Sequence, residues 1–137
     1  MALHSEITSL HRYFIWADRM RVLALDLLGK DHGNAADLLF LHPYFCYWYA
    51  GSYVVIEGWR KLELHDTVID DLLSVNVYVE ALRLHRNGAY HFQPTYFAEK
   101  VIGFVSEPGS AEWIHKLRRA FSAWFLAYFE AQEGTGK

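Results

Sequence analysis

One stretch of this 137-residue chain gathers side chains able to hold anions and move protons: Leu82-Arg83-Leu84-His85-Arg86-Asn87-Gly88-Ala89-Tyr90-His91-Phe92. At 100° per residue, Val75, Val79, Leu82, Ala89 and Tyr90 gather on one helical face, and Arg86 falls among them. An unpaired guanidinium inside an apolar stripe is costly, so Arg86 requires a partner, a wet cleft or a subunit interface. Asn87 and His91 are four residues apart and share the other edge of the helix. Arg86 and His91 stand about 140° apart on an ideal helix. Gly88, the helix end after His91, or a two-fold partner facing the same cleft would each bring them together. In the last helical turn the backbone dipole favours imidazolium, which suits His91 to donate a proton. Arg83 and His85 read as a solvated edge, with Arg83 a further phosphate contact and Tyr90 a flanking substrate contact.

The elements that must position these groups read as helices. From about Ser5 to Leu28, Ile7, Leu10, Phe14, Ala17, Met20, Ala24 and Leu27 follow steps of three and four, with Leu3 ahead of them. Ser5 reads as the cap of this helix and Gly29 as its stop. Residues 29–42 read as a loop carrying a helical turn. Pro43 suits the first position of a second helix reaching about Leu62. That helix is apolar around nearly its whole circumference, which marks a central helix or one facing a core and a partner together. Asp66 caps a short helix through Leu73. The third long helix runs from about Asn76 to His91 and stops near Phe92, because Pro94 biases Gln93 out of helical geometry. Pro94 opens another helix with Phe97, Val101, Phe104 and Val105. Ser106-Glu107-Pro108-Gly109 is a turn, and Ser110 caps a last helix whose Ile114, Leu117, Phe121, Trp124 and Tyr128 keep the same rhythm. Residues 131–137 read as a frayed tail. The sum is one all-α domain over 1–137, an up-and-down bundle of four long helices with one or two short ones.

Arg86-Asn87-Gly88-Ala89-Tyr90-His91 resembles the R-x(4–6)-H motif of the HEPN superfamily, in the form with a polar residue directly after the arginine. The resemblance implies a small all-α bundle acting as a homodimer, with paired motifs meeting in a cleft at the interface. It further implies a metal-independent endoribonuclease of toxin or defence type, in which Arg86 holds the scissile phosphate, His91 is the general acid–base and Asn87 the auxiliary polar group. Related domains keep the fold as binding modules for RNA, a nucleotide or a partner protein such as an antitoxin. A helical bundle binding an apolar small molecule through its aromatic core is a third reading.

Other chemistries find less support. Glu112-x-x-His115 is half of the paired Glu-x-x-His set that di-metal bundles use, and no His-x-x-x-His pair exists, so no metal or other cofactor is expected. The single cysteine, Cys46, lies in an apolar helix and reads as an inert thiol. There is no G-x-S-x-G elbow and no glycine-rich phosphate loop. Lys116, Arg118 and Arg119 read as a solvated face. Tyr44, Phe45, Tyr47, Trp48, Tyr49 and Tyr53 have no cation beside them in sequence before Arg60, so they read as core and dimer interface rather than as a base-stacking platform.

Composition sets the outer bounds. The formal charge of −3 excludes a chain held to nucleic acid by bulk charge, so any such binding is local. Apolar residues at 53% against 21% charged exclude disorder, and 17% aromatic content promises a heavily packed interior. One cysteine fits a reducing cytoplasm, and no run of about 20 apolar residues is present to span a membrane.

Overall fold

A computed structural model describes residues 2–29, 35–95 and 98–135 and places them in six helices. These are α1 (Ala2–Leu28), α2 (Ala35–Lys61), α3 (Thr67–Leu73), α4 (Asn76–Tyr90), α5 (Glu99–Ser106) and α6 (Ser110–Thr135). Four are long and two short, so the fold is the all-α bundle expected, with no strand among the described residues.

Aromatic and aliphatic teeth hold the long helices together. Ala17 meets Gly51, and Leu10 lies against Gly58, so α1 and α2 run antiparallel at close range. Phe14 faces Phe121, His11 faces Phe125, and His4 Nδ1 lies 2.7 Å from the Tyr128 hydroxyl, which sets α6 antiparallel to α1. The core contains Trp48, Tyr53, Ile56 and Trp59 of α2, with Leu82 of α4, Phe104 of α5, and Ile114, Leu117 and Phe125 of α6. Trp59 and Trp48 are at most 2% exposed, as suits a central helix that is apolar on all sides. Asp18 on α1 accepts bonds from Arg21 and, across the bundle, from Arg118. Arg118 is therefore tied down rather than solvated, and Lys116 pairs with Glu112 at 3.0 Å.

Several boundaries fall where local chemistry places them. Asp66 caps α3, accepting from the Ile69 amide at 3.0 Å. Gly29 closes α1 with its amide on the Leu25 carbonyl. Gly109, at φ 83°, turns the chain into α6. The Tyr78 hydroxyl donates to the Pro108 carbonyl just before it.

Other boundaries move. α1 begins at Ala2, so Ser5 lies inside the helix rather than capping it. α2 begins at Ala35, and Pro43 stands within it, removing one N–H from the ladder without ending the helix. The Ala, Leu and Phe residues from 35 to 41 propagate the helix up to that proline instead of forming a loop. Pro94 does not open α5, whose first carbonyl acceptor is Ala98, bonded to the amides of Val101 and Ile102. α6 persists to Thr135, so residues 131–135 are helical rather than a tail. Phe97, residues 30–34 of the expected loop and Gly136-Lys137 lie outside the described residues. Among those described, no helix is long and apolar enough to cross a membrane.

Candidate functional site

The stretch from Leu82 to Phe92 occupies the second half of α4 and the chain just beyond it. Its buried face is Val79, Leu82 and His85, whereas Val75 and Tyr90 are exposed. The buried stripe is therefore centred on Leu82 and takes in His85 at its edge, so His85 is not a solvated edge. Its imidazole is 2% exposed, with Nδ1 3.2 Å from the Val101 carbonyl and Nε2 3.1 Å from that of Cys46. It ties α4 to both α2 and α5. Burial lowers its pKa, and this outweighs the two carbonyls, which favour imidazolium. A neutral ring has one N–H and donates to one of them.

Arg86 comes to rest at the boundary of the stripe, its side chain 25% exposed. Its guanidinium carbon stands 4.8 Å from the centroid of the Tyr53 ring, a cation–π contact with α2. Nη1 donates to both carboxylate oxygens of Glu57 at 3.3 Å, and Nε donates to Asn87 Oδ1 at 3.2 Å. Among the described residues no acceptor meets Nη2. Asn87 is thus in direct contact with Arg86 and steers its fork. Arg83, one turn earlier, is chelated by Glu80 through Nε and Nη2. The hydrogen bond from Arg83 draws the Glu80 carboxyl below its ordinary range, and Glu80 in turn raises the Arg83 pKa.

His91 is not brought to Arg86. It is the residue at which α4 ends, in extended backbone (φ −119°, ψ 130°), its amide on the Asn87 carbonyl at 2.9 Å. Its carbonyl accepts from the Gln93 side chain and its own side chain is exposed. Gly88 does not bend the helix to join the two, since α4 runs through it to Tyr90. Its bare Cα instead lets α5 approach: a Cβ there would lie 3.0 Å from the Lys100 carbonyl carbon.

Beside this cluster α2 and α4 expose aromatic rings. Tyr47 and Tyr90 sit 5.8 Å apart at 46°, 44% and 60% exposed, and Phe92 is 91% exposed. Since Tyr47 meets Tyr90 while Glu57 meets Arg86, α2 and α4 are antiparallel and the cations and rings share one face. Glu57, Tyr53 and Tyr47 are the residues that reading along the chain does not connect to Arg86. A signal for Glu57 is present, as it is the one charged residue between Pro43 and Trp59.

Elsewhere, Glu112 is engaged by Lys116 and His115 packs against Trp48. Burial pushes the Cys46 thiol pKa up, in keeping with an inert side chain. Compared with protein-family models, curated proteins and solved structures, the chain has no match.

Proposed function

We propose that this protein is a HEPN-like domain that acts on RNA as a two-fold homodimer, and that it cleaves its substrate without a metal. The observation that carries the reading is the state of Arg86. Its guanidinium is seated on an aromatic ring and steered by a carboxamide, with Nη1 held by Glu57 at 3.3 Å and Nη2 without an acceptor among the described residues. A phosphate that displaces Glu57 would accept N–H bonds from both Nη1 and Nη2. The RNA 2′-hydroxyl attacks its adjacent phosphate, the 5′-oxygen leaves, and a 2′,3′-cyclic phosphate remains, so DNA is spared. His91 takes the hydroxyl proton or supplies the leaving group's proton. Arg86 stabilises charge growing on the phosphate. Within one chain Arg86 and His91 make no contact, so the cleft requires the second copy to bring a His91 to each Arg86.

The test is RNA incubation with and without EDTA. Cleavage is expected to persist in EDTA and leave cyclic-phosphate ends, and His91→Ala is expected to slow it about 10²–10⁴-fold. Loss of cleavage with EDTA, undiminished cleavage by His91→Ala, or a clean monomer in sedimentation overturns the reading. The Glu57 fork on Arg86 favours a second reading, a binding module without catalysis. In that case RNA binds, Arg86→Ala weakens it, and no RNA is cut.

A further inference from the structure

From the placement of the exposed rings we infer that Tyr47, Tyr90 and Phe92 form a base-stacking platform that restricts the Arg86 site to unpaired RNA. The inference rests on the RNA reading above and adds which form of RNA enters. Tyr90 follows Arg86 by four residues, about 6 Å along the axis of α4 and on the same side. A strand whose phosphate reaches Arg86 therefore brings a neighbouring base over Tyr90. Tyr47 reaches across from α2 to within 5.8 Å of that ring at a 46° tilt, so the two present a cleft rather than one closed stack. Phe92 stands just past His91, where the backbone has become extended, and is the most exposed large apolar side chain in the described fold.

Tyr47 and Tyr90 form an exposed pair of rings at the end of α4, with the exposed Phe92 two residues further along the chain, and exposed apolar surface of this kind marks contact surfaces. What the patch contacts is indicated by its neighbours. Arg83 and Arg86 precede Tyr90 on the same side of α4, each paired with a carboxylate (Glu80 and Glu57) that a phosphate would displace, so guanidinium groups lie beside faces for bases. That combination is how proteins hold single strands, because every base has a π-face whatever its sequence. Paired bases are stacked on each other and cannot enter. Stacking does not read the sugar, so unpaired DNA of the same sequence binds comparably even though it lacks the hydroxyl needed for cleavage.

The experiment uses a labelled, unstructured RNA of about 12 nucleotides, its DNA equivalent and its duplex, followed by anisotropy between about 50 and 200 mM salt. Tyr90→Ala, Tyr47→Ala and Phe92→Ala are each expected to weaken single-strand binding about 5- to 150-fold. Tyr90→Phe keeps the ring and is expected to bind like the parent. The salt slope stays unchanged in Tyr90→Ala and falls by about 0.7 in Arg86→Ala. If Arg86→Ala weakens binding while the three ring deletions do not, the platform is wrong and the phosphate site stands. If no oligonucleotide binds, the RNA reading fails and the platform with it. If the ring deletions convert a dimer into a monomer without changing affinity per chain, the rings are subunit contacts and the inference is refuted.

Discussion

Glu57→Gln separates a structural arginine from one held ready for an anion. In the structure Glu57 neutralises Arg86 through two contacts of 3.3 Å, longer than the roughly 2.7–2.9 Å of a tight charge-assisted bond. The side chains are 25% and 53% exposed, so water screens the pair, and such pairs contribute about 0–1 kcal/mol. Tyr53 and Asn87 still seat the guanidinium when the charge on Glu57 is gone. Stability should therefore fall by no more than about 1 kcal/mol, a melting shift of about 4 °C or less for a domain this size. A phosphate approaching Arg86 no longer competes with the carboxylate, and the same 1 kcal/mol appears as up to about fivefold tighter RNA binding. Thermal melts and anisotropy on the purified variant measure both quantities. A loss above about 2 kcal/mol with unchanged or weaker RNA binding would mean that Arg86 is a structural lock between α2 and α4. The phosphate role would then be wrong.

Further outcomes test the packing and the buried charges. A Cβ at Gly51 would lie 2.9 Å from the Ala17 Cβ, with no flexible chain end to yield, so Gly51→Ala overpacks α1 against α2. An overpacking cost of about 1–3 kcal/mol less about 1 kcal/mol of helix propensity leaves a net loss near 1 kcal/mol in a melt. An unchanged or raised melting temperature contradicts that contact. Burial raises the Asp18 carboxyl pKa, but the bonds from Arg21 and Arg118 outweigh it and hold the net value below the ordinary one. Its stabilisation is present above about pH 3.8 and is lost as pH falls through the folded value, and Asp18→Asn should cost about 1.5–3 kcal/mol at neutral pH. A neutral-pH melt matching the parent rejects it. Burial holds the pKa values of His85, His11 and His115 below 6.5, so the fold binds fewer protons there than the unfolded chain. Stability from these rings is complete above about pH 6.5 and declines as pH drops below it. A melting temperature that rises on acidification from pH 7.5 to about 5.5 would show imidazolium His85 bridging both carbonyls instead.

Where a boundary is set by a side chain on its own backbone, the sequence is enough: Asp66 before α3 acts over three residues. Pro43 and Pro94 are less legible, because a proline reports a missing donor and a fixed φ but not which helix absorbs the defect. The α2 helix extends upstream of Pro43 on the strength of residues 35–41, while the chain after Pro94 becomes helical only at Glu99. The site shows a sharper version of the same difficulty. His85 and Arg86 are adjacent, about 100° apart on the helix, and both are polar, so apolar periodicity cannot say which one the core admits. Ionisation decides it. An imidazole can shed its proton and still donate its remaining N–H to one of the Cys46 and Val101 carbonyls, so it enters the core as a neutral group. A guanidinium cannot shed its charge, so Arg86 stops at the boundary and takes a ring face and a carboxylate from a helix some thirty residues earlier. Neither partner leaves a mark on the local pattern around Arg86. Glu57 and Tyr53 become its neighbours only once α2 and α4 pack antiparallel, and that same packing delivers Tyr47 to Tyr90. The cation missing beside the aromatic run in sequence is supplied across the helix pair, so a run that reads as core and interface also places Tyr53 against the Arg86 guanidinium and Tyr47 against Tyr90.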